Sequence, residues 1–225
     1  MTSKFDIFLV GASRGVGREI ANYLSTKNLN IKALLRTENA AAELKALGIQ
    51  VVFGDALNVS DVEQAILTNE PIHTVITTLG GLPGNSERPD YLGNKNLIDA
   101  AVKAGVQKFI LVTSIGTGNS VGALSPQALA ALGEVLAEKE KAEEHLIASG
   151  LTYTIIRPGG LKSEPATGNG VLTEDPRIVG SINRADVAQL VIRALNSERT
   201  NNKVFSAVDK NMLFVPTEFV EFSLD

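Results

Sequence analysis

Gly11, Gly15 and Gly17 follow the apolar run Phe5-Asp6-Ile7-Phe8-Leu9-Val10 at spacings i, i+4 and i+6, and a helix-like stretch follows them. Missing side chains there permit a tight turn, close approach of backbone N–H groups to an anion, and packing of the helix on the strand. The positive end of that helix then faces the anion. A strand feeding such a turn and then a helix predicts a pyrophosphate cradle, hence a dinucleotide. Ser13, Arg14 and Val16 lie inside the turn and join its glycines as candidate cofactor contacts.

Dinucleotide sheets hold their ligand outside the carboxyl ends of the strands, so the residues just past each strand carry the chemistry. After the second strand, where an NAD site places a carboxylate for the ribose 2′-OH, stand Arg36 and Thr37. Two guanidiniums, Arg36 and Arg14, suit a 2′-phosphate and favour NADP over NAD, unless both are only solvated surface charges. Asp55, after the third strand, is placed either to accept the adenine amino group or to cap a turn. Ala56, Thr78, Leu79 and Thr113 occupy equivalent strand-end positions and complete the candidate cofactor set.

Further along, Leu132, Val135, Leu136, Ala142 and Leu146 share one face of a long helix, and Lys139 falls on that stripe. A charge there needs a partner, either the ribose hydroxyls of a nucleotide or solvent reached by snorkelling. Glu138, Glu140, Lys141 and Glu144 sit on the flanks and read as a solvated face. His73 precedes the fourth strand, and His145 lies on the long helix with no acidic orienter evident, so both read as structural or solvated.

The elements that position these residues alternate regularly. Strands are expected at Phe5 to Val10, Ile31 to Arg36, Gln50 to Gly54, His73 to Thr78, Lys108 to Thr113, Thr152 to Arg157 and Lys203 to Val208. Helices are expected at about Val16 to Lys27, Ala40 to Leu47, Ser60 (as cap) to Leu67, Asp90 to Ala104, Pro126 to Ser149 and Arg184 to Leu195. Alternation of this kind predicts an α/β fold, a Rossmann-type doubly wound parallel sheet. The stretch 158–183, rich in Gly, Pro, Ser and Asn, reads as a small irregular substrate-side lobe over the end of the sheet rather than a second core. No repeat or linker interrupts the chain, so 1–225 is expected to be a single domain.

Composition sets the outer bounds. A chain of 225 residues with 44% hydrophobic and 20% charged content suffices for one large core. With no Cys and two His, a disulfide framework, a metal site, a Cys nucleophile and a Ser-His-Asp triad all lack material. A net charge of −4 without a basic block argues against a nucleic-acid partner. No apolar run approaches the roughly 18 residues of a membrane span, so the cytoplasm is the default expectation. No heptad or unpartnered apolar helix announces an interface, and a monomer is expected.

Several segments resemble the atypical short-chain dehydrogenase/reductase superfamily, and within it the small NmrA-like NAD(P)-binding proteins that include flavin and biliverdin reductases. They are the glycine turn, Asp55, Gly93-Asn94-Lys95-Asn96-Leu97-Ile98-Asp99-Ala100-Ala101, Phe109 to Gly116, Lys139 to Leu146, Ser149 to Leu161 and Ile182-Asn183-Arg184-Ala185-Asp186-Val187-Ala188. The resemblance implies that Ser114 stands at the active-site Ser and Lys139 at the Lys of the Tyr-x-x-x-Lys pair, the two candidate catalytic positions. The Tyr itself is replaced by Val135, so the phenol that protonates a carbonyl oxygen has no counterpart. Two functions follow. One is an NADPH-dependent oxidoreductase passing hydride to a small conjugated acceptor such as a flavin or quinone, with the nicotinamide near Pro158 and Gly159, its ribose on Lys139 and the acceptor under 161–183. The other is a non-catalytic NADP(H)-binding redox sensor or scaffold protein.

Overall fold

The computed structural model describes residues 5–68, 70–81 and 88–224. In chain order the regular elements are β1 (Phe5–Val10), α1 (Gly15–Leu24), β2 (Ile31–Leu35), α2 (Ala41–Ala46), β3 (Gln50–Phe53), α3 (Val59–Ile66), β4 (Ile72–Thr77) and α4 (Leu92–Ala104). Then come β5 (Lys108–Val112), α5 (Pro126–Ala148), β6 (Tyr153–Pro158), β7 (Gly160–Lys162), β8 (Gly170–Thr173), β9 (Ser181–Asn183), α6 (Arg184–Leu195) and β10 (Lys203–Asp209). Eight strands form one sheet in the order β3-β2-β1-β4-β5-β6-β10-β8, parallel throughout except for β8, which runs antiparallel to β10.

Strand residues alternate between two cores. Ile7 and Leu9 of β1 face a layer built with α1, α2 and α6, while Phe8 and Val10 face α3, α4 and α5. Every residue of β2 and β5 is buried, as expected of strands covered on both faces. This is the doubly wound Rossmann arrangement, and its winding reverses between β1 and β4, which are paired through Ile7 to Val10 against Thr74 to Thr77. Reversal splays the flanking connections apart and opens a crevice at the carboxyl ends of the strands.

Local chemistry fixes the helix ends. Ser125 caps α5, its hydroxyl accepting from the Ala128 N–H at 3.2 Å, and Pro126 follows as first helical residue. The expected Ser60 cap is corrected. Asn58 caps α3 instead, accepting from the N–H groups of Ser60 and Asp61, because an Asn carbonyl placed just before the helix reaches both donors.

The stretch 158–183 is more ordered than expected. Two three-residue strands, β7 and β9, pair in parallel through Gly160 to Lys162 and Ser181 to Asn183, and β8 extends the main sheet along Ser206 to Asp209 of β10. Backbone groups crossing the end of a sheet must find partners, and these short ladders supply them. Among the described residues no helix is long and apolar enough to cross a membrane.

Candidate functional site

A cleft of about 950 Å³ runs along the carboxyl ends of β1 to β5, bounded by α5 and by the β7 segment. The glycine turn forms its floor. Gly11 has φ +88°, and a Cβ there would lie 2.5 Å from Thr78 Oγ1. At Gly17 a Cβ would lie 2.2 Å from the Gly11 carbonyl oxygen, so this glycine allows α1 to press against β1 from behind the cleft. Gly15, at φ +58°, opens directly into it. Arg18 pairs with Glu43 and donates from Nε to the Ala12 carbonyl at 3.2 Å, which braces the turn. The first turn of α1 contains no acidic residue. The cradle therefore fits a dinucleotide pyrophosphate.

Ser13, Arg14, Val16, Arg36, Asp55, Ala56, Thr78, Leu79, Thr113, Ser114 and Lys139 all line the cleft with Gly11 and Gly15. The guanidiniums of Arg14 and Arg36 are exposed. Asp55 does cap its turn, with Oδ1 accepting from the Leu57 N–H at 2.9 Å, and it still faces the cleft. Pro158 and Gly159 do not line it. Pro158 is buried at the end of β6, and a Cβ on Gly159 would lie 2.1 Å from the Gly180 carbonyl, so these residues build a backbone crossing beneath the lobe.

Lys139 has a protein partner. Its Nζ lies 2.8 Å from Oδ1 of Asp90, a fully buried carboxylate at the approach to α4. Asp90 Oδ2 accepts from the Gly81 N–H at 2.8 Å and from Arg88 Nε at 3.3 Å, while Oδ1 has no aligned hydrogen-bond donor among the described residues. The lysine is thus its chief compensation. Gly80 leaves room for this contact, since a Cβ there would sit 3.2 Å from both Asp90 Oδ1 and Lys139 Nζ.

Beneath Ser114 lies a second polar cluster centred on Glu143, which is 2% exposed. Its carboxylate accepts from Thr113 Oγ1 at 2.6 Å, Thr117 Oγ1 at 2.8 Å, and Arg157 Nε and Nη2 at 3.1 and 2.6 Å. Arg157 also donates to Asn119 Oδ1 at 2.6 Å. The Thr113 hydroxyl is therefore used inside the protein, and the Ser114 hydroxyl donates to the Ile115 carbonyl at 3.0 Å. His145 does have an acidic orienter, Asp99, at 2.7 Å between Nε2 and Oδ1. Burial pushes the Asp99 carboxyl up, but hydrogen bonds from Lys95 and His145 outweigh it and hold the group below its ordinary value.

Around these polar groups the α5 wall is apolar: Leu132, Val135 and Leu136 face the cleft, as does Leu161 from β7. Among the described residues lining the cleft there is no tyrosine. The site can cradle a phosphate-bearing ligand and enclose a flat apolar one, with Lys139 and Ser114 between them. Arg184, Asp90 and Arg88 also line it, and reading the motifs did not single them out as site residues.

Comparisons with known proteins agree. A family model described as NAD(P)H-binding matches residues 11–198. ChuY, an anaerobillin reductase from Escherichia coli O157:H7, superposes with a TM-score of 0.84 at 36% identity, covering 94% of this chain and 100% of that one. An uncharacterized sugar epimerase, YhfK of Bacillus subtilis, is 33% identical over 211 residues, 90% of this chain and 94% of that protein. Sanguinarine reductase of Eschscholzia californica is 37% identical over 129 residues, 55% of this chain and 46% of that protein. With the glycine cradle in place and the match running from that turn through β2 to β9 and α6, the chain belongs to the NAD(P)H-binding family of Rossmann-fold proteins.

Proposed function

We propose that the protein is an NADPH-dependent reductase that passes hydride to a small, planar, conjugated acceptor such as a flavin or a quinone. The observation that carries this reading is the α5 wall, where Val135 stands four residues before Lys139 and faces the cleft beside Leu132 and Leu161. A wall of this kind receives a flat apolar molecule and offers no phenolic proton to a ketone. Conjugated acceptors spread the incoming charge and take their proton from solvent.

In this account the glycine turn holds the pyrophosphate, Arg14 and Arg36 hold the 2′-phosphate, and Asp55 accepts from the adenine amino group. Lys139, oriented by Asp90, donates to the nicotinamide ribose. The bound nicotinamide supplies the hydride. Ser114 borders the reacting region, and Leu132, Val135 and Leu161 exclude water from it. Names of two relatives support a reductase reading, since ChuY is described as an anaerobillin reductase and the Eschscholzia protein as a sanguinarine reductase.

The test is consumption of NADPH, followed by nicotinamide absorbance, against a panel of flavins and quinones, with NADH in parallel. Acceptor-dependent consumption with NADPH preferred supports the proposal. Tight NADPH binding without consumption for any acceptor refutes it and favours the sensor function.

A further inference from the structure

Arg184 stands where two parts of the cleft meet. It is the first residue of α6, directly after β9, and its Nη1 donates to Ser163 Oγ at 2.7 Å and to the Leu161 carbonyl at 3.4 Å. Both acceptors belong to the lobe wall. On its other side it lies against the glycine turn, since a Cβ at Gly15 would come within 3.7 Å of its Nε and 3.9 Å of its Cδ. Gly15, Arg184, Leu161 and Ser163 all border the same cleft.

The fold itself gives little reason for a cation here. Among the described residues no carboxylate pairs with Arg184, and a positive charge on the first residue of a helix opposes the helix dipole. The neighbouring residues, in contrast, have structural tasks. Asn183 Nδ2 donates to the Pro165 carbonyl at 2.9 Å, and buried Asp186 accepts from the N–H groups of Thr167 and Gly168 at 2.9 and 2.8 Å. Residues 161–168 are exposed, and these contacts from the β9–α6 junction tether them. Arg184 is the tether that faces the cleft.

We propose that Arg184 contacts the dinucleotide pyrophosphate from the lobe side and, through Ser163 and Leu161, holds the exposed 161–168 segment, the end of β7 and the turn after it, down against the bound cofactor. It thereby couples cofactor binding to the ordering of the acceptor side. The inference rests on the reading that the glycine turn takes a dinucleotide. Because the contact is with the pyrophosphate, NADPH and NADH should feel it alike, unlike a contact from Arg36. A guanidinium donates through several N–H groups in a fixed planar fork, so it can hold Ser163 and a phosphate oxygen at set positions, a span that the compact ammonium of a lysine covers less well.

The experiment measures NADPH and NADH affinity by calorimetry, and trypsin cleavage after the exposed Lys162, in the wild-type chain, Arg184→Gln and Arg184→Lys, with thermal melting as a check of folding. Arg184→Gln is expected to bind both cofactors about 10- to 150-fold more weakly, the range for losing a charge-assisted contact. Saturating NADPH should protect Lys162 in the wild type and not in Arg184→Gln. Arg184→Lys should regain part of the affinity without the protection. Unchanged affinity in a folded Arg184→Gln variant, a loss confined to NADPH, or a wild type whose Lys162 stays equally cleavable with cofactor bound would each overturn the inference while leaving the cofactor reading intact. A wild-type chain that binds neither cofactor would overturn both.

Discussion

Replacing Lys139 with Met tests how the site is held together. The substitution keeps the aliphatic stem and removes the ammonium that lies 2.8 Å from Asp90 Oδ1. The Asp90 side chain is 1% exposed and that of Lys139 16%, so water replaces the lost partner poorly. Removing one member of a buried ion pair costs about 3–5 kcal/mol. Here the Gly81 N–H at 2.8 Å and Arg88 Nε at 3.3 Å remain on Oδ2. They reduce the expected loss to about 2–3 kcal/mol, which for a chain of this size lowers the melting temperature by about 4–12 °C. Adding Asp90→Asn removes the stranded charge and should restore most of that stability, giving a strongly non-additive cycle. In the same Lys139→Met protein, cofactor affinity should fall while turnover at saturating NADPH is spared, because a ribose contact is alike in ground and transition states. Thermal melts of the four proteins and saturation kinetics read both effects. An unchanged melting temperature, or additive losses, would refute the pairing. A fall in saturated turnover of about 10²–10⁴-fold with unchanged affinity would make Lys139 a proton donor.

Three further expectations follow from other parts of the molecule. Glu143→Leu strands the buried Arg157 guanidinium and should cost about 3–5 kcal/mol in denaturant unfolding, and a loss below about 1 kcal/mol would contradict the role given to that cluster. Arg36→Glu should reverse the cofactor preference, weakening NADPH by about 10- to 150-fold in calorimetry, and equal affinities of the wild type for NADPH and NADH would remove its basis. Asp99, held below its ordinary value by Lys95 and His145, titrates lower in the folded than in the unfolded chain. Its contribution to stability is therefore present above the unfolded aspartate value and lost as pH falls through the folded one. Melting curves of the wild type and Asp99→Asn should differ near neutral pH and converge in acid, and a constant offset across that range would contradict the assignment.

The fold was legible because its signals are local and repeated. Apolar runs with turn residues between them gave the seven parallel strands of the sheet, and the helix from Arg184 to Leu195 ends where its periodicity ends. β7, β8 and β9 escaped notice because three or four residues carry no readable period, and Gly-rich sequence around them reads as loop. At the site, residues following each strand were found by position alone. Asp90 and Arg184 were not, since each is defined by a partner on a different element, and nothing in a charged residue's own neighbourhood marks that pairing. Glu143 was within reach: it lies four residues after Lys139, on the inward side of α5, and Arg157 is the one charged residue of a buried strand. A charge of each sign at inward positions signals a buried pair. Pro158 and Gly159, expected near the nicotinamide, do not line the cleft, because the backbone there passes close to the Gly180 carbonyl, a crossing between distant segments that local sequence does not signal.

The most direct test of the account is isotope transfer. With NADPH deuterated at the nicotinamide C4 position and a flavin or quinone as acceptor, the account predicts stereospecific loss of deuterium from one face of the nicotinamide, at a rate that requires both cofactor and acceptor. Bound, intact NADPH that keeps its deuterium against every conjugated acceptor would contradict it.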